Sequence, residues 1–242
     1  MFENIVLGIV ASFIWFIFGI ITVKLSKFYL LKNPVKRLWK ISDPKKLIIC
    51  ASTSTKTDTG EYYRPATGIG QLRSLGQIIE SLAKVYDVRI QNILLSINQI
   101  QQQIENDLIL LGGPKNNEIA KLFLDKIEPF KIVHQIDSTI YWKTSGTDVV
   151  YCGVTKDKKV VKDYGIAIRM KNPFDTKKQT YISLFSGCHT YGTIASAQYF
   201  TEHYVKKTKG LKKVKENIFF LVECDVIDGF PIDIKIKEFY EF

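Results

Sequence analysis

The sequence predicts an α/β fold: a mostly parallel open sheet with helices on both faces and a β-rich middle section, preceded by one N-terminal transmembrane helix. Three observations predict it. Residues Ile5 to Val23, "IVLGIVASFIWFIFGIITV", carry no charge and no proline. From Lys46 onward, short apolar runs alternate with stretches of helical periodicity, the pattern of a parallel α/β sheet. In the middle of the chain that alternation gives way to short β-rich runs joined by polar turns.

The apolar run of about nineteen residues spans ~28 Å at ~1.5 Å per residue, close to the ~30 Å hydrocarbon core of a bilayer. A cleaved signal peptide has a shorter apolar core, a basic start and a small-residue exit. Here the start, Met1-Phe2-Glu3-Asn4, is acidic, and the exit, Thr22-Val23-Lys24, has no Ala-x-Ala pattern. Beyond the run stand Lys24, Lys27, Lys32, Lys36, Arg37, Lys40, Lys45 and Lys46 against a single acid, Asp43. Positive flanks stay in the cytoplasm. The expected layout is a short extracytoplasmic N-terminus (1–4), a transmembrane helix (5–23), a basic juxtamembrane linker (24–44) and a cytoplasmic α/β domain (45–242). The protein is thus expected at the cell membrane, single-pass, with its N-terminus out.

The four cysteines, Cys50, Cys152, Cys188 and Cys224, are scattered and form no CxxC pair. In a cytosolic domain they remain thiols. With no two at ligand spacing, neither a metal nor a cofactor is expected. The net charge of +10 raises nucleic acid as a partner. Much of the excess is juxtamembrane, however, and a second cluster (Lys206, Lys207, Lys209, Lys212, Lys213, Lys215) has no recognition motif beside it. The expected partners are anionic lipid headgroups near the basic linker and a small-molecule ligand, not nucleic acid. Nothing in the sequence sets an oligomeric state.

The elements follow in order. In the linker, Pro34 and Pro44 disfavour helix at the residues before them. "KLIICAS" is a buried-strand pattern, followed by a polar loop of about sixteen residues, "TSTKTDTGEYYRPATG". Ile69, Leu72, Leu75, Ile79, Leu82 and Val85 then stand at helical spacing. "VRIQNILLS" is a second strand, "NQIQQQIEN" a short helix or connection, and "DLILLGG" a third strand. Asn116 or Asn117 caps the helix "EIAKLFLDKI". "STIYWKTS", "DVVYCGVT" and "DYGIAIRMK" read as hairpins or an antiparallel extension. "KQTYISLFSGCHTYGTIASAQYFTEHYVKK" returns to strand, tight turn and helix. "NIFFLVECDVID" and "IDIKIKEFYEF" close the chain, the latter alternating as an edge or antiparallel strand does.

Ligands of open parallel sheets bind outside the carboxyl ends of the strands. Three strand-to-helix turns carry the groups such a site needs. The first holds Ser52, Thr53, Ser54 and Thr55, and later Tyr62, Tyr63 and Arg64. The second is Gly112-Gly113-Pro114-Lys115-Asn116-Asn117. The third is "SGCHTYGT", Ser186 to Thr193. Bare glycines admit a phosphate or ribose to backbone N–H groups, helix N-termini favour anions, and hydroxyls give adaptable hydrogen bonds. Arg64 is placed to clamp a phosphate, and the tyrosines to stack on a base. The candidate ligand-binding residues are Ser52, Thr53, Ser54, Arg64, Gly112, Gly113, Asn116, Asn117, Gly187, His189, Thr190 and Thr193. The competing reading is local: glycines serving a positive-φ turn, and hydroxyls bonded to nearby backbone.

No nucleotide fingerprint accompanies these turns: "TGIGQLRSLG" is spaced GxGxxxxxG and follows a loop. Cys188 beside a helix N-terminus, with His189 as base, is a nucleophile candidate, but adjacent residues seldom face each other productively. Asp225 and Asp228 are turn acids with no evident partner, and His134 and His203 read as structural.

Together, "DLILLGGPKNN", "YGIAIRMKNPFD" and "FSGCHTYGTIASAQYF" resemble an uncharacterised prokaryotic α/β domain. Its marks are a strand-GGP-Asn-helix turn, an Asn-Pro-Phe turn and a GxxxxGT strand-to-helix turn, here Gly187 to Thr193. The resemblance covers roughly residues 45 to 225. It implies a fold attached to varied partners, membrane segments included, and no reaction. The expected function is a membrane-anchored cytoplasmic domain that binds a nucleotide-like or phosphorylated small molecule as a sensor or signalling module. The alternatives are an enzyme acting on such a ligand, for example by glycosidic-bond cleavage, or a scaffold without ligand.

Overall fold

The computed structural model describes residues 2–53, 55–95, 100–127, 132–144, 147–177, 179–208 and 214–242. Its first element, α1 (Phe2–Lys27), is long and apolar enough to cross a membrane. From Val6 onward its large side chains face outward, Trp15 being 72% exposed, and none of the described residues covers them.

The helix does not stop at the basic flank. A π-helical turn (Phe28–Lys32) leads directly into α2 (Asn33–Trp39). Here the structure corrects the expectation of a linker interrupted at Pro34. Pro34 lies inside this continuous helical run, and the π turn before it, in which the Asn33 N–H donates to the Phe28 carbonyl, is where the ladder accommodates the proline. Pro34, Val35, Leu38 and Trp39 are buried, so α2 belongs to the domain's core although it precedes residue 45. Lys40, left-handed with φ 50°, ends it.

The remaining strands are β1 (Ile48–Ala51), β2 (Thr55–Asp58), β3 (Tyr63–Ala66), β4 (Ile93–Leu95), β5 (Leu108–Leu111), β6 (Val133–Ile136), β7 (Thr139–Thr144), β8 (Thr147–Cys152), β9 (Val154–Lys156), β10 (Lys159–Lys171), β11 (Tyr181–Gly187), β12 (Ile218–Ile227) and β13 (Phe230–Glu241). The helices are α3 (Ile69–Ala83), α4 (Glu118–Ile127), α5 (Thr190–Gln198) and the short α6 (Val205–Thr208); a π-helical stretch (Tyr199–Tyr204) joins the last two. The loop expected after β1 instead contains the β2–β3 hairpin, with Gly60 at φ 87° in its turn.

The main sheet runs β13-β12-β10-β11-β5-β1-β4, with β9 paired to β10. β4, β1, β5 and β11 are parallel. β10, β12, β13 and β9 pair antiparallel. The sheet is therefore mixed, which corrects the mostly parallel reading. The β-rich middle is the cause: β10, entered from a hairpin, returns along β11 and recruits β12 and β13 by further reversals.

Alternation along the strands divides the core into two layers. Ile49, Ile109, Leu111, Phe185, Phe220 and Val222 face α2, α3 and α5. Ile48, Cys50, Leu108, Leu110, Ile182 and Leu184 face α4 and the small antiparallel sheet β6-β7-β8. Being covered on both faces is why β1 and β5 read as unbroken apolar runs. Arg169 is fully buried on β10. Its guanidinium donates to the carbonyls of Leu38 (2.8 Å), Lys215 and Glu216 (3.1 Å), so the end of α2 is fastened to the sheet.

Candidate functional site

The chain leaves β1 through α3 on one face of the sheet and leaves β5 through α4 on the other. Adjacent parallel strands whose connections part in this way open a crevice at their carboxyl ends. A cleft of about 340 Å³ lies there. Ser52 after β1, Gly112, Gly113, Lys115 and Asn116 after β5, and Gly187, His189, Thr190 and Thr193 after β11 all line it. The three turns thus meet around one cavity.

Not every expected residue comes to it. Arg64 is exposed on β3 and Tyr62 at the hairpin turn; neither lines the cleft. The chain turns away into β2 before it reaches them. Thr53 is half-buried beside the lining, and Ser54 lies outside the described residues. Asn117 is fully buried and serves the fold. Its Oδ1 caps α4 by accepting from the Ala120 N–H at 3.1 Å, and its Nδ2 donates to the carbonyls of Leu111 (3.1 Å) and Cys50 (3.4 Å). The capping assigned to Asn116 or Asn117 is therefore done by Asn117, and this leaves Asn116 at the cleft.

The glycine pair turns out to do two different things. Gly112 sits at φ +92°, a conformation side chains rarely adopt, and its N–H donates to the Phe185 carbonyl at 2.9 Å. Gly113 has no such φ, but a Cβ there would lie 2.7 Å from Ser186 Oγ and 2.9 Å from Gln135 Nε2. Ser186 Oγ donates to Gln135 Oε1 at 2.7 Å, and Gln135 Nε2 donates to the Gly187 carbonyl at 3.0 Å. The pair is thus required by the turn and by a polar brace beneath it. On the α3 side, Gln71 donates to Ser52 Oγ while Thr67 Oγ1 donates to Gln71 Oε1 at 3.1 Å.

At the third turn the decisive residue comes from elsewhere. Asp163 on β10, fully buried, accepts from the N–H groups of Gly192 (2.6 Å), Tyr164 (2.9 Å) and His189 (3.1 Å). It caps α5 across a sheet pairing rather than along the chain. Burial pushes its carboxyl above the usual carboxylate range, against the pull of those N–H groups and of the nearby His189 ring. The His189 ring packs over Gly153, where a Cβ would lie 2.7 Å from Nε2.

Among the described residues no hydrogen bond joins the Cys188 thiol to the His189 ring, although both residues line the cleft. Cys188 is buried, its thiol donates to the Tyr151 carbonyl at 3.3 Å, and burial together with Asp163 pushes its pKa up to about 12. Asp225 on β12 pairs with Lys162 across the strand pair, on β10, at 3.8 Å, and Asp228 occupies the β12–β13 turn at φ 49°; neither lines the cleft.

Sequence reasoning missed Gly68 and Gln71 at the start of α3, Lys115, the Asp137-Ser138 turn between β6 and β7, and Asp163. All but Asp163 line the cleft. Lys115 stood within a turn already singled out. The "QIDST" turn carried a readable signal, an Asp suited to positive φ, which Asp137 adopts at 49°. Asp163 had none, because the N–H groups it holds at the start of α5 are 26 and 29 residues away.

Among the described residues the lining offers hydroxyls (Ser52, Ser138, Thr190, Thr193), amides (Gln71, Asn116), the thiol of Cys188, one ammonium (Lys115), one carboxylate (Asp137) and one imidazole (His189). Comparison of the chain with protein-family models and with curated proteins finds no match.

Proposed function

We propose that the protein is a membrane-anchored sensor whose cytoplasmic α/β domain binds a nucleotide-like or phosphorylated small molecule in the cleft at the carboxyl ends of β1, β5 and β11. The observation that carries this reading is the convergence of three strand-to-helix turns and the starts of α3 and α5 on one open cavity. Lys115 supplies the charge for a phosphate. Hydroxyls and amides suit a ribose, and the His189 ring is the one aromatic face among the described lining residues. Arg64 and the tyrosines have no part in it. The lysines after the apolar helix support a cytoplasmic domain.

An enzyme acting on the same ligand is the second reading, favoured by Asp137 on the cleft wall. Glycosidic cleavage by paired carboxylates needs a second acid facing the first. Among the described residues Asp137 is the one carboxylate in the lining, which ranks the binding reading above the catalytic one.

Full-length protein in neutral detergent is melted with ADP, adenosine or inorganic phosphate. Stabilisation by ADP that is lost in Lys115→Gln and weakened in His189→Ala, with ligand-free melting unchanged in Lys115→Gln, is the expected result. No response to any probe, or an undiminished response in Lys115→Gln, rejects the cleft. Turnover of ADP that disappears in Asp137→Asn establishes the enzyme instead.

A further inference from the structure

α3 and α5 both begin at the cleft and run the same way across the sheet. Their far ends, α3 at Glu80 and Lys84 and the π-helical continuation of α5 at Thr201 and Glu202, meet the segment that continues the apolar helix. A groove of about 510 Å³ opens at this junction. Its basic lining is Lys27, Lys32, Lys84 and Lys206, and its apolar lining is Leu30, Val35 and Val205. Two carboxylates, Glu80 and Glu202, also line it, and Glu80 is engaged by Lys84 at 3.6 Å. The lysines outnumber the acids by two to one.

A second, adjoining groove of about 510 Å³ runs along α1 itself, lined by Phe16, Gly19, Ile20, Val23, Lys24 and Lys27. These residues recur at three- and four-residue spacing on one helical face. Gly19 leaves its middle open, since a Cβ there would touch nothing. Lys27 belongs to both grooves. An apolar trough at membrane depth therefore leads into a basic pocket at headgroup depth.

We infer that this continuous groove is a binding site for one phospholipid of net negative headgroup, its acyl chain along Gly19, Ile20 and Val23 and its phosphate among Lys27, Lys32, Lys84 and Lys206. Charge complementarity selects an anion. The trough selects a lipid over a free phosphate, because a soluble anion makes no use of apolar surface. The site is separate from the cleft and independent of what binds there.

The test uses the full chain, delipidated in neutral detergent, with native mass spectrometry to read retained lipid. Phosphatidylglycerol is expected to be retained and phosphatidylcholine not. Lys84→Gln with Lys206→Gln should lower phosphatidylglycerol retention about tenfold or more, since each lysine near a lipid phosphate contributes on the order of 1 kcal/mol. Gly19→Leu should lower it without any change of charge. Lys156→Gln with Lys159→Gln, exposed on the β9–β10 hairpin outside the groove, should leave it unchanged. Melting without lipid establishes that each variant is folded. Equal retention of both lipids overturns the inference, as does an equal loss in the hairpin variant, which would mean a diffuse field. Competition by glycerol 3-phosphate as effective as that by phosphatidylglycerol would make the site a phosphate site and overturn it too.

Discussion

The two halves of the main sheet differ in composition and finish differently: β1 and β5 are apolar and buried throughout, whereas β10 and β13 carry charged residues along their length. In the parallel half, β4, β1, β5 and β11 are three to seven residues long, and their carboxyl ends point to one edge. β1, β5 and β11 each spill into a polar turn there, and those turns make the cleft. In the antiparallel half, β10, β12 and β13 run 13, 10 and 12 residues. Reversal sends successive ends to opposite edges, and the turns close on themselves. Parallel strands gather polar groups; antiparallel strands disperse them. The halves also depend on each other. Asp163 and Arg169, both on β10, respectively cap the helix that walls the cleft and hold the end of α2.

The largest effect should come from breaking that second link. Removing residues 1–40 deletes Val35, Leu38 and Trp39, each about 2 kcal/mol of burial, and leaves Arg169 without the Leu38 carbonyl. Such a fragment should aggregate or melt broadly, whereas removal of residues 1–32 should leave a cooperative transition by calorimetry. Arg169→Met in the full chain should cost about 3 kcal/mol through the carbonyls left unpaired. A 1–40 deletion that melts like the 1–32 deletion would show α2 to be dispensable.

Next comes the seam between the halves. A Cβ on Gly165 of β10 would run into the backbone carbonyl of Gly192 in α5, and backbone cannot yield as a side chain can. Gly165→Ala should cost roughly 3 kcal/mol or more in chemical denaturation. Gly76→Ala, on the exposed side of α3 with open space around it, should instead stabilise by about 0.5–1 kcal/mol. Equal behaviour of the two would mean that α5 does not press on β10.

A smaller effect separates the two glycines of the cleft. Gly112→Ala forces a side chain into positive φ and against Ser52, a loss of about 1–2 kcal/mol that no second change repairs. Gly113→Ala meets movable side chains, so adding Ser186→Ala should recover part of its loss. Recovery of neither variant, or of both, would erase the distinction.

The smallest perturbation is chemical labelling of the native protein. Burial raises the thiols of Cys50, Cys188 and Cys224 each to about 12. At pH 8 about one in ten thousand is then thiolate. Cys152, exposed on β8, should take up iodoacetamide while the other three wait for denaturant, as read by peptide mass spectrometry. Rapid native labelling of Cys188 would restore it as a nucleophile. In intact cells, protection of Cys152 from an impermeant reagent is the expected mark of a cytoplasmic domain.

Much of the fold was legible because it is local. The uncharged run Ile5 to Val23, the periodicity that becomes α3, and the Asn117 cap and apolar stripe of α4 each report on neighbours within a few residues, where sequence and structure share a period. "LILL" read as a buried strand because burial on both faces removes alternation. The three turns of the candidate site were visible for the same reason: hydroxyls and glycines directly after apolar strands. What the sequence could not show depends on which strand lies beside which. Strand direction is a matter of pairing, and nothing local in "DYGIAIRMK" says that β10 pairs antiparallel with both β11 and β12. α2 looked like linker because it has Pro34 near its start and carries Lys36 and Arg37 within a basic stretch, while its place in the core is set by distant contacts such as that of Arg169, some 130 residues on, with the Leu38 carbonyl. Arg64 and Asn117 differ from Asn116 in their distance from the cavity, which only the packed chain defines. The sequence determined the apolar helix, buried strands such as β1 and β5 and the polar turns after them, since these rest on solvation and backbone preference of short segments; the polar β2–β3 hairpin it read as loop. Tertiary structure alone decided the mixed sheet, the Asp163 cap and the membership of the cleft, since contacts between distant segments are chosen by the free energy of packing the whole chain at once.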